Sequence, residues 1–144
     1  MTLQQFYKNL DCYVKPESVF IFDMDGTLVN SDIANFNAYS EALSPTINLA
    51  QRYIAGRITR ASLSELGVSR TMQCSIVSKK REVYSKYLKD TIKMPLACKI
   101  LEIVSKTNMT ILATQSEKQR AIDTLQYHNL LANFTHSVFR EDLQ

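Results

Sequence analysis

A chain of 144 residues has room for one core domain and a small insertion. Its 45% hydrophobic and 22% charged residues are those of an ordinary globular protein and exclude disordered or fibrous classes. A net charge of +3 without a long single-sign run leaves no nucleic-acid footprint, and no apolar run approaches the ~20 residues of a membrane span. The N-terminus has no signal-peptide core. Cys12, Cys74 and Cys98 are widely spaced and odd in number, so they read as thiols of a reducing compartment, and a cytoplasmic location is expected.

Residues 2–13 read as a short amphipathic helix with Leu3, Phe6, Tyr7 and Leu10 on one face. Pro16 leads into an apolar run, residues 19–22, whose β-branched and aromatic side chains predict a buried strand. A helix is expected over 32–43, capped by Ser31 or Asn30 and broken at Pro45 and Thr46. Helical periodicity resumes over 47–54 and stops at Gly56. A short helix over 61–66 ends at Gly67, a suitable C′ residue, and a long one follows over 70–89, with Met72, Ile76, Val83, Tyr84 and Tyr87 near helical spacing. No strand pattern occurs between Asn30 and Asn108. Pro95 suits the first turn of the next helix, whose buried stripe is Leu96, Ile100, Ile103 and Val104. Residues 110–113 predict a second strand ending at Thr114, 117–128 a helix, and 137–139 a weak third strand.

Chemistry concentrates at the end of the first strand, in Asp23-Met24-Asp25-Gly26-Thr27. Two carboxylates at alternate positions project to the same side of an extended chain. Gly26 permits a sharp backbone exit. The carboxyl end of a central strand is the usual ligand crevice of an open α/β sheet. Close carboxylates repel unless a proton or cation is shared, and Mg2+ suits oxygen ligands and phosphates. The chemistry suggested is phosphoryl transfer, with Asp23 attacking phosphorus and Asp25 acting as general acid and base. The motif by itself reads first as an acidic turn after a strand, and the apolar strand before it and the residues after it shift the balance to phosphate chemistry.

The full string, Phe20-Ile21-Phe22-Asp23-Met24-Asp25-Gly26-Thr27-Leu28-Val29-Asn30-Ser31-Asp32, resembles the first motif of the haloacid dehalogenase-like (HAD) phosphohydrolases. It is most similar to the branch with phosphoglycolate phosphatases and β-phosphoglucomutases. The resemblance implies an α/β fold: a Rossmann-like parallel sheet, with three strands present and the C-terminal strands missing, and an inserted α-helical cap. Residues 1–30 and 93–144 would be the core and 31–92 the cap. It implies Asp23 as nucleophile, Asp25 as general acid/base, and Mg2+ on Asp23 and the backbone carbonyl of Asp25. Gly26 and Thr27 lie in the phosphate-binding part of that motif.

Met109 to Ser116 resembles the family's second motif, with Thr114 at the phosphate-binding position and Ser116 as a second candidate. A hydroxyl between a strand end and a helix N-terminus suits a phosphate oxygen. Taken without the first motif, the same residues read first as caps of the helix that follows. Within the expected cap, Gly56-Arg57-Ile58-Thr59-Arg60 resembles the specificity segment, where Arg60, before Arg57, would meet a second anionic group of the substrate. Lys79 or Lys80 falls where some relatives have a cap lysine.

The resemblance also implies a Lys-Pro loop and a strand ending in paired Asp, and the sequence stops before both. Lys118 is a substitute cation in this reading. Glu141 and Asp142 are poor substitute metal ligands: the third strand lies two positions from the first, and strand spacing of ~4.8 Å puts it roughly 10 Å away. A free first-strand edge is a pairing hazard. The expectation is therefore a truncated product, or a chain that completes its sheet as a homodimer or with a complementing chain. A small phosphorylated metabolite is the expected substrate. The alternatives are a non-catalytic phosphate- or partner-binding module and a phosphomutase using the same nucleophile.

Overall fold

A computed structural model describes residues 14–43 and 58–143, together with Gln5 and Asn9; the side chains of Arg60 and Leu143 are outside the description. The predicted helices over 2–13 and 47–54, the break at Pro45 and the segment of Gly56 and Arg57 fall outside the described residues, apart from those two positions. Among the described residues the order is β1 (Val19–Phe22), β2 (Val29–Asn30), α1 (Asp32–Ala42), α2 (Arg60–Glu65), α3 (Arg70–Val83), β3 (Ile92–Lys93), α4 (Pro95–Val104), β4 (Met109–Ala113), α5 (Lys118–Tyr127) and β5 (His136–Val138). Short 3-10 turns cover Tyr84–Asp90, Leu131–Asn133 and Arg140–Leu143.

Strands β1, β4 and β5 form a parallel sheet in the order β1-β4-β5, with Phe22 opposite Leu112 and Leu112 opposite Ser137. β4 is thus central and β1 an edge of the described sheet. Alternation along the strands decides which face is buried. Phe22 and Leu112 point into a core with Leu101 and Val104 of α4 and Ala121 and Leu125 of α5. Val19 and Ile21 point the other way and are 50% and 67% exposed. A second apolar cluster joins α1, α2 and α3 through Tyr39, Leu43, Leu63 and Ile76. A third packs Ala34 and Ala38 of α1 against Val83 and Tyr84. Among the described residues no helix is long and apolar enough to cross a membrane.

Several boundaries differ from the sequence expectation. The long helix ends at Val83, and Tyr84 to Asp90 winds as 3-10. Ile92–Lys93 is a strand where none was expected; it pairs antiparallel with Val29–Asn30, and a two-residue strand is too short to leave a period. In α4 the buried positions are Leu101 and Val104, with Ala97, Cys98 and Ile100 packed partly buried against the core, while Leu96 is 44% exposed. Pro95 does open α4, and Gly67, at φ +73°, follows α2. Ser31 occupies the N-cap position of α1 without capping it; Asn30 Oδ1 instead accepts from the Asp32 N–H at 3.0 Å.

Candidate active site

The chain leaves β1 at Asp23 and turns at once. The N–H groups of Thr27, Leu28 and Val29 all donate to the Met24 carbonyl, and Gly26, at φ +80°, donates to the Val29 carbonyl. This turn overrides the alternation expected for an extended chain, so the two carboxylates meet different surroundings. Asp23 is exposed, and among the described residues no hydrogen bond holds its side chain. The Asp25 side chain is 9% exposed and held from several sides. The Gly26 and Thr27 N–H groups are engaged within the turn, which leaves the exposed Thr27 hydroxyl as its outward donor.

Four donors meet Asp25. Ser31 donates to Oδ1 and Ser116 to Oδ2. Arg120 closes on both oxygens, Nη2 on Oδ2 at 2.5 Å and Nη1 on Oδ1 at 3.3 Å. Nη1 also lies 3.3 Å from the Tyr84 hydroxyl, and the guanidinium stands 5.3 Å from the Tyr84 ring centre. Asn35 extends the network by donating to the Ser31 hydroxyl at 3.1 Å. Burial by itself would raise the Asp25 pKa, but the Arg120 charge and the bonds from Ser116, Ser31 and Arg120 outweigh it and hold the carboxyl below its usual 3.8.

Thr114 and Ser116 are both buried beyond the end of β4. With Phe22 opposite Leu112, Asp23 and Thr114 leave the same end of the sheet on neighbouring strands. The Thr114 hydroxyl accepts from the Ser116 N–H at 3.1 Å, a local turn that keeps its own hydrogen available to donate. Thr114 supports the entry to the helix, and Ser116 binds Asp25. Helix α5 begins without a side-chain cap from Glu117; the Glu141 carboxylate takes the Lys118 N–H from outside, at 3.2 Å for each oxygen.

Glu141 is thus engaged at a helix start, and Asp142 accepts from the Phe139 N–H at 2.8 Å. Neither is brought to Asp23. Lys118 is exposed, with its ammonium over Phe139 at 5.8 Å. The cation beside Asp25 is Arg120, which the sequence reading missed. The signal was present: Ser116 and Arg120 are four residues apart across the start of a helix, hence neighbours on one face. Arg60 opens α2. Lys79 is exposed, whereas Lys80 is buried and lines a cavity of about 290 Å³ that also meets Ser116 and Arg120.

Lys80 sits 4.4 Å from the Tyr84 ring centre and 5.4 Å from that of Tyr39. Burial first, and the Arg120 charge second, push its pKa down from 10.5 to about 7, with Glu117 and Asp25 only partly opposing. The unfolded chain therefore binds the extra proton between about pH 7 and 10.5, and this group makes stability rise with pH across that window. The slope is at most about 1.4 kcal/mol per pH unit. Urea unfolding at pH 7 and pH 9 should show it in the wild type and show it reduced in Lys80→Met.

The donor set for a metal is small. Among the described residues no three His, Cys, Asp or Glu side chains gather to hold an ion. The Asp25 carboxylate is committed to Arg120 and the two serines. The exposed Asp23 carboxylate and the Asp25 backbone carbonyl are both hard oxygen donors, which fit Mg2+ if water and phosphate oxygens complete its shell.

Residues 20–144 match the family model of haloacid dehalogenase-like hydrolases. The chain belongs to that family. It is similar in fold to a haloacid dehalogenase-like hydrolase from Streptococcus pneumoniae, with TM-score 0.66 and 22% identity, over 88% of this chain and 62% of that one. A candidate phosphoglycolate phosphatase from Lactobacillus plantarum gives 0.67 and 16%, over 88% and 63%. A candidate β-phosphoglucomutase from Thermotoga maritima gives 0.56 and 22%, over 87% and 62%. This HAD chain thus spans somewhat under two thirds of the length of these structures. A comparison with curated protein sequences finds no match.

Proposed function

We propose that this HAD-family chain is a phosphohydrolase for a small phosphorylated metabolite, working through an aspartyl-phosphate on Asp23. The observation that supports this best is the contrast between the carboxylates: Asp23 open and unengaged at the strand end, Asp25 two residues on and fixed by four donors. A nucleophile must reach phosphorus, whereas a proton-transfer group must hold one orientation. In this reading Asp23 attacks, and the Thr114, Thr27 and Ser116 hydroxyls and the Gly26 turn line the phosphoryl group's surroundings. Asp25 protonates the leaving oxygen and then takes a proton from water. Arg120 keeps Asp25 ionised in the free chain, which suits the second task; the first requires Asp25 to gain a proton as Arg120 lets go. Mg2+, held by Asp23 and the Asp25 carbonyl, would supply charge neutralisation on the phosphate.

The separate apolar clusters support treating residues 31–92 as a cap on a core of 1–30 and 93–144, with Arg60 on the cap side. The place of β1 at an edge of the described sheet supports pairing with a second copy or a complementing chain. A reducing, cytoplasmic setting fits the free thiol of Cys98. A second reading is a non-catalytic phosphate- or partner-binding module, favoured by the closed Asp25–Arg120 pair. A phosphomutase would use the same groups. The deciding experiment is hydrolysis of p-nitrophenyl phosphate by the 144-residue chain with and without Mg2+, plus hydroxylamine trapping of an acyl-phosphate. Turnover that needs Mg2+, with hydroxamate at Asp23, is expected. Phosphate binding without turnover would favour the second reading.

A further inference from the structure

Helix α5 holds the 3-10 segment Tyr84–Asp90 at both ends. At one end Arg120 Nη1 lies 3.3 Å from the Tyr84 hydroxyl. At the other, about two turns further along α5, His128 Nε2 lies 2.7 Å from the hydroxyl of Thr91, the residue that follows the segment. Arg120, Thr124 and His128 are spaced by four and share one face of the helix. Thr124 is fully buried between them and donates to the Arg120 carbonyl at 2.7 Å. Thr91 and His128 are buried too. The single hydrogen of the Thr91 hydroxyl goes to the Leu88 carbonyl at 2.5 Å. A hydroxyl already donating can only accept from its second partner, so His128 donates from Nε2 and Thr91 accepts.

Thr91 stands where the 31–92 segment returns. Ile92–Lys93 pairs antiparallel with Val29–Asn30, and the Met94 N–H donates to the Leu28 carbonyl at 2.8 Å. The Leu28 and Val29 N–H groups close the turn that carries Asp25, each 3.0 Å from the Met24 carbonyl. Ser31, the first residue past β2, donates to Asp25 itself. Helix α5 therefore reaches Asp25 by two routes. One is direct, through Arg120. The other runs from His128 through Thr91, β3 and β2 to Ser31.

We propose that His128 is a positioning residue: through Thr91 it fastens the returning end of the 31–92 segment to the core, and so keeps Ser31 on Asp25. Among the described residues its ring meets Thr91 and the edge of Tyr127 and no group of the site, so it acts only at a distance. The effect on turnover rests on the reading of Asp25 as the proton-transfer group; the fastening does not. A buried bond of this kind is directional as well as stabilising, which is what a group that must hold one orientation requires of its supports.

Two measurements on the 144-residue chain test this. Proton NMR should show a slowly exchanging ring N–H of His128 in the wild type and lose it in Thr91→Val, which removes the acceptor with little change of shape. Steady-state hydrolysis of p-nitrophenyl phosphate with Mg2+ should show kcat lowered about three- to tenfold in His128→Leu and in Thr91→Val, the scale of one neutral hydrogen bond. KM should stay within about twofold. The double variant should lose no more than either single one. His128→Gln, whose amide can donate in place of Nε2, should return kcat to within about twofold of the wild type. In a Ser31→Ala background His128→Leu should cost nothing further, whereas a purely structural loss would add to it. Thr91→Val carries the test if the leucine variant does not fold. A ring N–H that is absent, or that survives in Thr91→Val, overturns the fastening. An unchanged kcat, or a loss that adds to that of Ser31→Ala, overturns the positioning role. A wild type without turnover overturns the hydrolase reading alone, and the ring N–H then decides for or against the fastening.

Discussion

Asp23→Asn should lower Mg2+-dependent hydrolysis of p-nitrophenyl phosphate at least about a thousandfold, the scale seen when a nucleophile is removed. An amide nitrogen or oxygen cannot form the acyl-phosphate, and it is a poorer ligand for a hard cation. The fold should not notice. Asp23 is exposed and unengaged, and surface changes of this kind stay within about 0.5 kcal/mol. Steady-state kinetics beside urea unfolding tests both halves at once. Turnover within tenfold of the wild type would remove Asp23 as nucleophile. Lost turnover with lost stability would make the residue structural instead.

The largest stability effect is expected at Arg120. Its guanidinium and the Asp25 carboxylate are 14% and 9% exposed, and each is the other's main charge partner. Arg120→Met leaves Asp25 buried with only Ser31 and Ser116, and breaking such a pair costs about 3–5 kcal/mol. Adding Asp25→Asn removes the orphaned charge and should recover part of that loss, which a double-mutant cycle by urea unfolding would measure. The pH dependence has the opposite sense to that of Lys80. Because the folded Asp25 pKa lies below 3.8, the pair's contribution is complete above the unfolded value and fades as pH falls below it. The wild type should therefore lose its advantage over the double variant in strong acid. A cost below about 1 kcal/mol for Arg120→Met would mean the pair is too hydrated to matter.

The elements that could be read in advance share a physical feature: they are specified locally. Residues 19–22 and 109–113 are apolar β-branched runs, Pro95 and Gly67 punctuate helices by their own backbone restrictions, and each appears within a residue or two of its expected place. The 3-10 winding after Val83 and the β2–β3 pair were not readable, since both depend on partners more than fifty residues away or on packing under α1. At the site, the string from Asp23 to Thr27 pointed to phosphate chemistry because charge beside an apolar strand is costly without a purpose. Lys79 and Lys80 could not be told apart, since one residue of register turns a helix by about 100° and decides exposure.

The amino-acid sequence by itself therefore determined the family, the strands and the pair of carboxylates that follows the first of them, because these follow from short-range patterns of polarity and chain stiffness. Only the tertiary structure decided that Asp25 belongs to Arg120 and the two serines, and that Lys80 stands buried against the rings of Tyr39 and Tyr84. Those pairings join side chains up to 95 positions apart, and no local pattern encodes which distant charges will share a low-dielectric space.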